Sequence, residues 1–313
     1  MSFKFTKKRK LILVLVAVMI FLGVVFTTSS PVRITGSASQ DKIAVIPITG
    51  PITISTLPSP LSIASSTSFS GGIIAHIDNA DRDNSVKAII FEINSPGGTV
   101  VASKEIADRI TKLNKPTVAL VREAATSGAY WVASAADVIV ADPLSVTGSL
   151  GVTGSYVEFS GLLDEYDVDY VQLTTGEFKD TGTPFRDLTS REREIMETKL
   201  DIIHEYFITD VARKRKITDE NIRKLDSGIF YLGLEAEKLG LVDMLGDKDS
   251  AVQVAKDLAK IKDAKVTTYE EKRGLVDFFL GAQAESVYYF GRGFGDAFYS
   301  NQIKSRNSVN LQL

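Results

Sequence analysis

The chain contains no cysteine, which excludes disulfides, thiol nucleophiles and thiolate metal sites. Histidine is almost as scarce, with only His76 and His204. Both fall in helix-like stretches far from any serine-bearing turn, so neither is placed to serve a Ser-His-Asp arrangement. Two are also too few for a histidine-rich metal site, and no motif calls for a cofactor. Net positive charge is missing beyond residue 10: the formal charge is −3, and discounting the five cations of the first ten residues leaves −8. An acidic body of this kind has no electrostatic footprint for nucleic acid.

Long apolar runs are absent too, with one exception. Residues 11–26, LILVLVAVMIFLGVVF, follow the basic segment 1–10. With Thr27 and Thr28 the run would make a helix of about 27 Å, against a hydrocarbon core of roughly 30 Å. A cleavable secretory signal is the rival reading, but its apolar core is usually about 7–15 residues and ends in a small-x-small site. The run is therefore expected to be an uncleaved signal-anchor over 11–28. Its flanking positive charge keeps residues 1–10 in the cytoplasm and places the rest beyond the membrane. Residues 29–40 are small and polar, a linker to the body.

From Asp41 the chain alternates between strand and helix patterns. DKIAVIPI (41–48), VKAIIFEI (86–93), TVALVR (117–122) and DVIVAD (137–142) read as strands. Residues 73–83, 99–114 and 127–136 read as helices. Apolar strands separated by helices predict a largely parallel α/β domain. The spacing predicts one long amphipathic helix over 188–216, capped by Thr189 or Ser190, with shorter helices near 218–225, 234–239 and 249–260. The tail 271–313 carries eight aromatics between residues 278 and 299 and is left unassigned.

Two turns stand out. NSPGG (94–98) ends one strand, and Thr126-Ser127-Gly128 ends the next. In a parallel sheet both lie at the carboxyl edge, where ligands usually bind. Amides of Gly98 and Gly128 would then point at one spot from two helix starts, which suits an oxyanion. Each motif has an ordinary explanation by itself: Pro-Gly-Gly is a common turn and Ser-Gly a common helix cap. If Ser127 is a nucleophile its proton must go elsewhere than histidine, and lysine is the recognised variant.

NSPGG, ATSGAYW, TGSLGV (147–152) and GEFKDTGTPFRDLTSRER (176–193), in that order, resemble the signal peptide peptidases of the SppA type, short form, in serine protease family S49. The likeness runs from about residue 40 to about 260 and includes FYLGLEAEKLGLVD (230–243). It implies a ClpP/crotonase-like fold of repeated β-β-α units over 41–270, with a helical C-terminal part. It also implies a membrane-anchored serine endopeptidase that degrades remnant signal peptides, assembled as a homo-oligomeric ring whose dyad is completed across subunits. Motif by motif, Ser127 corresponds to the nucleophile, Lys179 to the general base and Ser149 to the serine that bonds the lysine. Gly98 and Gly128 correspond to the oxyanion-hole amides, with Gly97 and Gly151 at the substrate. SGAY here departs from the family's SGGY, by one methyl at Ala129. A lysine amine near pKa 10.4 is protonated at neutral pH, so a lysine base needs burial worth about 3 units, or about 4 kcal/mol. Asp180 would oppose that and is expected to point away. Rival readings are a stomatin-partner-type membrane protease, a crotonase-like acyl-CoA enzyme and a non-catalytic ring scaffold.

Overall fold

The computed structural model describes residues 40–55, 67–218, 222–223, 225 and 227–270. The apolar run 11–28, the linker up to residue 39 and the tail from residue 271 lie outside them, as does part of the helix expected near 218–225. Among the described residues no helix is long and apolar enough to cross a membrane.

The chain begins with β1 (Lys42–Thr49), the two-residue strands β2 (Ile52–Thr53) and β3 (Ser68–Phe69), and α1 (Ser70–Arg82). Alternation continues through β4 (Val86–Ser95), α2 (Val100–Thr111), β5 (Thr117–Thr126), α3 (Gly128–Ala133) and β6 (Val138–Ala141). Then come β7 (Val146–Gly148), α4 (Ser160–Glu165) and the long α5 (Ser190–Arg215). The last elements are β8 (Phe230–Leu232), α6 (Gly233–Lys238), β9 (Met244–Leu245), α7 (Lys248–Ala259) and β10 (Lys265–Thr268).

The main sheet runs β10-β1-β4-β5-β6-β9, with β7 beside the end of β5 and β8 beside β7. Every pairing is parallel except β7 with β8. The alternating strand side chains explain why both faces are apolar. Ile46, Ile89, Phe91, Ala119 and Val121 join the cluster that holds Ile73 and Ile77 of α1 and Ile106 of α2. Their strand neighbours Ile43, Val45, Ala88, Ile90, Val118 and Leu120 join Ala251 and Ala255 of α7 on the opposite face. Strands buried on both sides cannot alternate polar with apolar, which is why these segments read as continuous apolar runs. Phe91 is fully buried at the centre. Phe91→Ala should cost about 3–5 kcal/mol, read as a lowered urea midpoint.

Helix α5 begins where expected. The Thr189 hydroxyl accepts from the Glu192 amide at 3.2 Å, and the Glu192 carboxylate accepts from the Thr189 amide at 2.9 Å, a reciprocal capping box. Its later turns pack into the core through buried Phe207, Ile208, Val211 and Ala212. The stretch before it is different. Residues 149–159 form no strand, and α4 has no buried residue. Tyr156, Val157, Leu162, Tyr166, Val171 and Leu173 of this arm are all exposed.

Candidate active site

Strand β5 ends on Thr126, and the chain turns at Ser127 into α3. Ser127 adopts φ 53° and ψ −126°, a left-handed region that costs a non-glycine residue on the order of 1–3 kcal/mol. The conformation is held from both sides. The Ser127 amide donates to Gly148 O at 2.8 Å, and the Trp131 amide donates to Ser127 O at 3.0 Å. Its hydroxyl makes no capping bond to α3, so the ordinary role of a serine at a helix start is not the one it fills.

The NSPGG turn lies directly against this elbow. Strand β5 pairs with β4 up to Ser95↔Ala125, and the Thr126 hydroxyl donates to Pro96 O at 3.1 Å. Backbone contact leaves no room for side chains. A Cβ on Gly97 would lie 2.8 Å from Gly128 N and 3.1 Å from Ser127 Cβ, and Gly97 has φ +100°. A Cβ on Gly98 would lie 1.9 Å from Ile52 O, and one on Gly128 would lie 3.3 Å from Gly98 N. Thus the Gly98 and Gly128 amides are neighbours beside Ser127. Strand β2 bonds the turn through Ile52 N to Gly97 O (2.8 Å) and Thr99 N to Ile52 O (2.9 Å). Among the described residues that pairing leaves the Gly98 N–H unused, and as the first residue of α3 Gly128 has no intrahelical acceptor for its own. Two unspent donors at adjoining helix starts suit a developing negative charge.

A cleft of about 550 Å3 opens over Ser127, Gly98 and Gly128. Its walls are Ile52 and Thr53 of β2 on one side and Gly151, Val152 and Thr153 on the other. Trp131, Ile203 and Phe207 also line it. Trp131 stacks on Phe207 with centroids 4.6 Å apart, and its indole N–H donates to Asp210 at 2.7 Å. Of these walls the sequence pointed only to Gly151. The signal for Trp131 was available, since the chain's one tryptophan sits one helical turn after Ser127. Strand β2 was hidden in a Ser/Pro/Gly-rich loop.

A larger cleft of about 700 Å3 lies at the same sheet edge and holds Glu92, Asp142, Ser145 and Asp247. These groups are already engaged. Glu92 pairs with Arg122 (3.4 Å) and Lys248 (2.8 Å). Asp142 accepts from the Leu144 amide, Ser145 donates to Arg122 O and Asp247 caps α7. The cleft therefore offers no nucleophile with a base.

Ser149 and Lys179 are not drawn together within one chain. Ser149 has φ 52°, and its hydroxyl donates to Gly228 O at 3.1 Å. Lys179 is exposed and is not among the residues around the Ser127 cleft. Asp180 points away from its neighbour, as expected, into an ion pair with Arg186 at 2.9 Å. Arg186 also pairs with Glu192 at 2.6 Å. The Arg186 guanidinium, helped by the Thr189 amide, holds the Glu192 carboxyl well below its ordinary value of 4.5. A depressed carboxyl contributes stability that is complete above its unfolded value and lost as pH falls through it. Melting temperatures should therefore fall as pH drops below about 4.5 and go on falling through the acid range, less steeply in Glu192→Gln.

The family model for peptidase family S49 matches residues 109–262, and that for Clp protease matches residues 61–141. A candidate protease of Methanocaldococcus jannaschii is 33% identical over 229 residues, covering 71% of this chain and 72% of that protein. Protease 4 of Salmonella typhi is 34% identical over 216 residues, covering 68% of this chain, which spans only 35% of that protein's length. Among solved structures, a mutant of the 1510-N membrane-bound stomatin-specific protease in complex with a substrate peptide aligns with TM-score 0.47 and 14% identity, over 79% of this chain and 99% of that one. By its similarity to these sequences, the chain belongs to peptidase family S49.

Proposed function

We propose that the chain is a membrane-anchored serine endopeptidase of the signal peptide peptidase type, with Ser127 as nucleophile and Lys179 as general base. The amine of Lys179 takes the Ser127 proton as the oxygen attacks a peptide carbonyl. The Gly98 and Gly128 amides stabilise the oxyanion, Lys179 protonates the leaving amine, and water releases the acyl-enzyme. Gly97 and Gly151 flank the peptide, and Ser149 supports the lysine. The anchor is the run 11–28, with residues 1–10 cytoplasmic and the protease domain 41–270, on a ClpP/crotonase-like fold, outside the cytoplasm. The Clp protease match supports that fold.

One observation carries this reading: an elbow serine under strain stands beside two unspent amides in one walled cleft. The base comes from a second copy. The arm that holds Lys179 exposes its apolar side chains and has no core of its own, which is the character of a surface awaiting a partner. Docking it in a homo-oligomeric ring would desolvate the amine and favour its neutral, proton-accepting form. The test is cleavage of signal-peptide-derived peptides by the full chain in detergent, compared with Ser127→Ala and Lys179→Ala. Loss of cleavage in both variants is expected. Equal rates in all three proteins would overturn the assignment, and preference for a stomatin-derived peptide would favour the stomatin-partner reading of the substrate.

A further inference from the structure

The residues around Lys179 hold their charged anchor just after the lysine. Residues 170–179 are all exposed, and among the described residues the Lys179 ammonium has no hydrogen bond or ion pair. Its segment is tied down immediately afterwards. Arg186 presents Nε (3.2 Å) and Nη2 (2.9 Å) to the two oxygens of Asp180. It also presents Nη1 (2.9 Å) and Nη2 (2.6 Å) to the two oxygens of Glu192. The Thr181 hydroxyl donates to the same Glu192 at 3.0 Å, and Nη1 reaches Asp187 O at 2.9 Å. Glu192 is only 2% exposed and is itself locked into the first turn of α5 by the capping box. One planar guanidinium thus joins the residue after Lys179 to the start of the longest helix.

We propose that Arg186 is a positioning residue for Lys179, a clamp that fixes the base-bearing segment to the N-terminus of α5. The inference rests on the reading of Lys179 as the base. The clamp performs two tasks. It turns Asp180 away from the lysine, so the nearest carboxylate does not hold the ammonium charged. It also transmits the rigidity of α5 to a segment without a core. Only an arginine can do this, because its rigid fork satisfies two carboxylates bidentately where a lysine offers a point charge. Of the charged groups near the base, Glu177 lies on its own segment and Asp180 faces Arg186. Among the described residues no charged group of another element pairs with it.

The experiment uses the full chain and a signal-peptide-derived substrate, with kcat and KM measured across pH. The variants are Arg186→Lys, the charge-balanced Arg186→Gln/Glu192→Gln, and Lys179→Ala as reference. Displacing a reacting group by about 1 Å costs on the order of 100-fold in rate, so the double variant should lose about that much kcat. Its KM should stay within about 3-fold, because substrate contacts are untouched. The acid limb of kcat/KM should move up by about one pH unit, because a less docked amine is better solvated and more readily protonated. Arg186→Lys should show the same changes to a smaller extent. A wild-type kcat and acid limb in either folded variant overturns the clamp. So does a loss that matches only the fraction of unassembled protein, with the acid limb unmoved. If the double variant does not fold, Arg186→Lys decides by the same criteria. Full activity in Lys179→Ala would instead refute the base itself, a result that the Arg186 variants cannot produce.

Discussion

Ser127→Ala and Lys179→Ala should each lower peptide cleavage by roughly four orders of magnitude, because removing one member of a nucleophile–base unit disables the whole unit. The more informative result comes from combining them. Co-expressed in one cell, the two inactive variants should recover activity. In a head-to-tail ring the serine-intact copy can receive a lysine from a Ser127→Ala neighbour, and random mixing gives about a quarter of the interfaces this pairing. If both residues acted within one chain, no combination of the two variants would contain a working site. The distinction comes from the observation that Lys179 stands exposed on the arm and outside the serine cleft. Cleavage rates of mixed oligomers, purified through tags on each variant, measure it. Recovery to about a quarter supports base donation between copies, whereas none sinks it.

Gly98→Ala should be the next most damaging change, with kcat falling by about 100- to 1000-fold, the range for loss of an oxyanion donor. The methyl group would be placed 1.9 Å from Ile52 O, inside any tolerable contact, so either the turn or β2 must move. Both alternatives break the bond from Thr99 N to Ile52 O and re-aim the Gly98 amide. Ile52 is fully buried in the core, so the urea midpoint should fall as well, while circular dichroism should still report a folded protein. Gly128→Ala is the control. Its added methyl would meet the Ser103 hydroxyl at 2.3 Å, and that group can rotate, so the loss should be smaller. A fully active Gly98→Ala would remove Gly98 from the oxyanion site.

Much of the domain was legible from the chain. Strands β1, β4 and β6 were visible because burial on both faces makes their residues uniformly apolar. The start of α5 was visible because Thr189 and Glu192 carry the capping-box spacing. Strand β5 was seen only to Arg122. Its last residues, Glu123 to Thr126, are small or polar, and they become strand only through pairing with β4 and β7. That pairing is tertiary and leaves no periodicity in the sequence. Strands β2 and β3 are too short to show any. For the site, the glycine turns pointed to one sheet edge, where the structure sets them side by side, and the elbow geometry accords with a serine freed from capping. The resemblance gave Lys179 a role but no position. The apolar residues from Tyr156 to Leu173 received no assignment from their pattern, and the folded chain leaves many of them exposed. The reason is physical: hydrophobic patterning reports that a residue will be covered and is silent on which molecule covers it.

The place of β10 has a consequence for the order in which this protein can be completed. It is the last strand of the described body, and it lies beside the first, with Lys42 opposite Lys265 and Val45 opposite Thr268. Until that late segment has emerged, the outer edge of β1 has no partner, and Ile43 and Val45 belong to an apolar cluster that also needs α7. An unpaired apolar edge invites pairing with other chains. Contacts so distant in sequence also form slowly, because a long loop must close first. A polypeptide delivered from its N-terminus therefore leaves one edge of β1 open until residues 265–268 have followed. Its most hazardous moment as a newborn chain is set by one edge of the sheet, far from the serine.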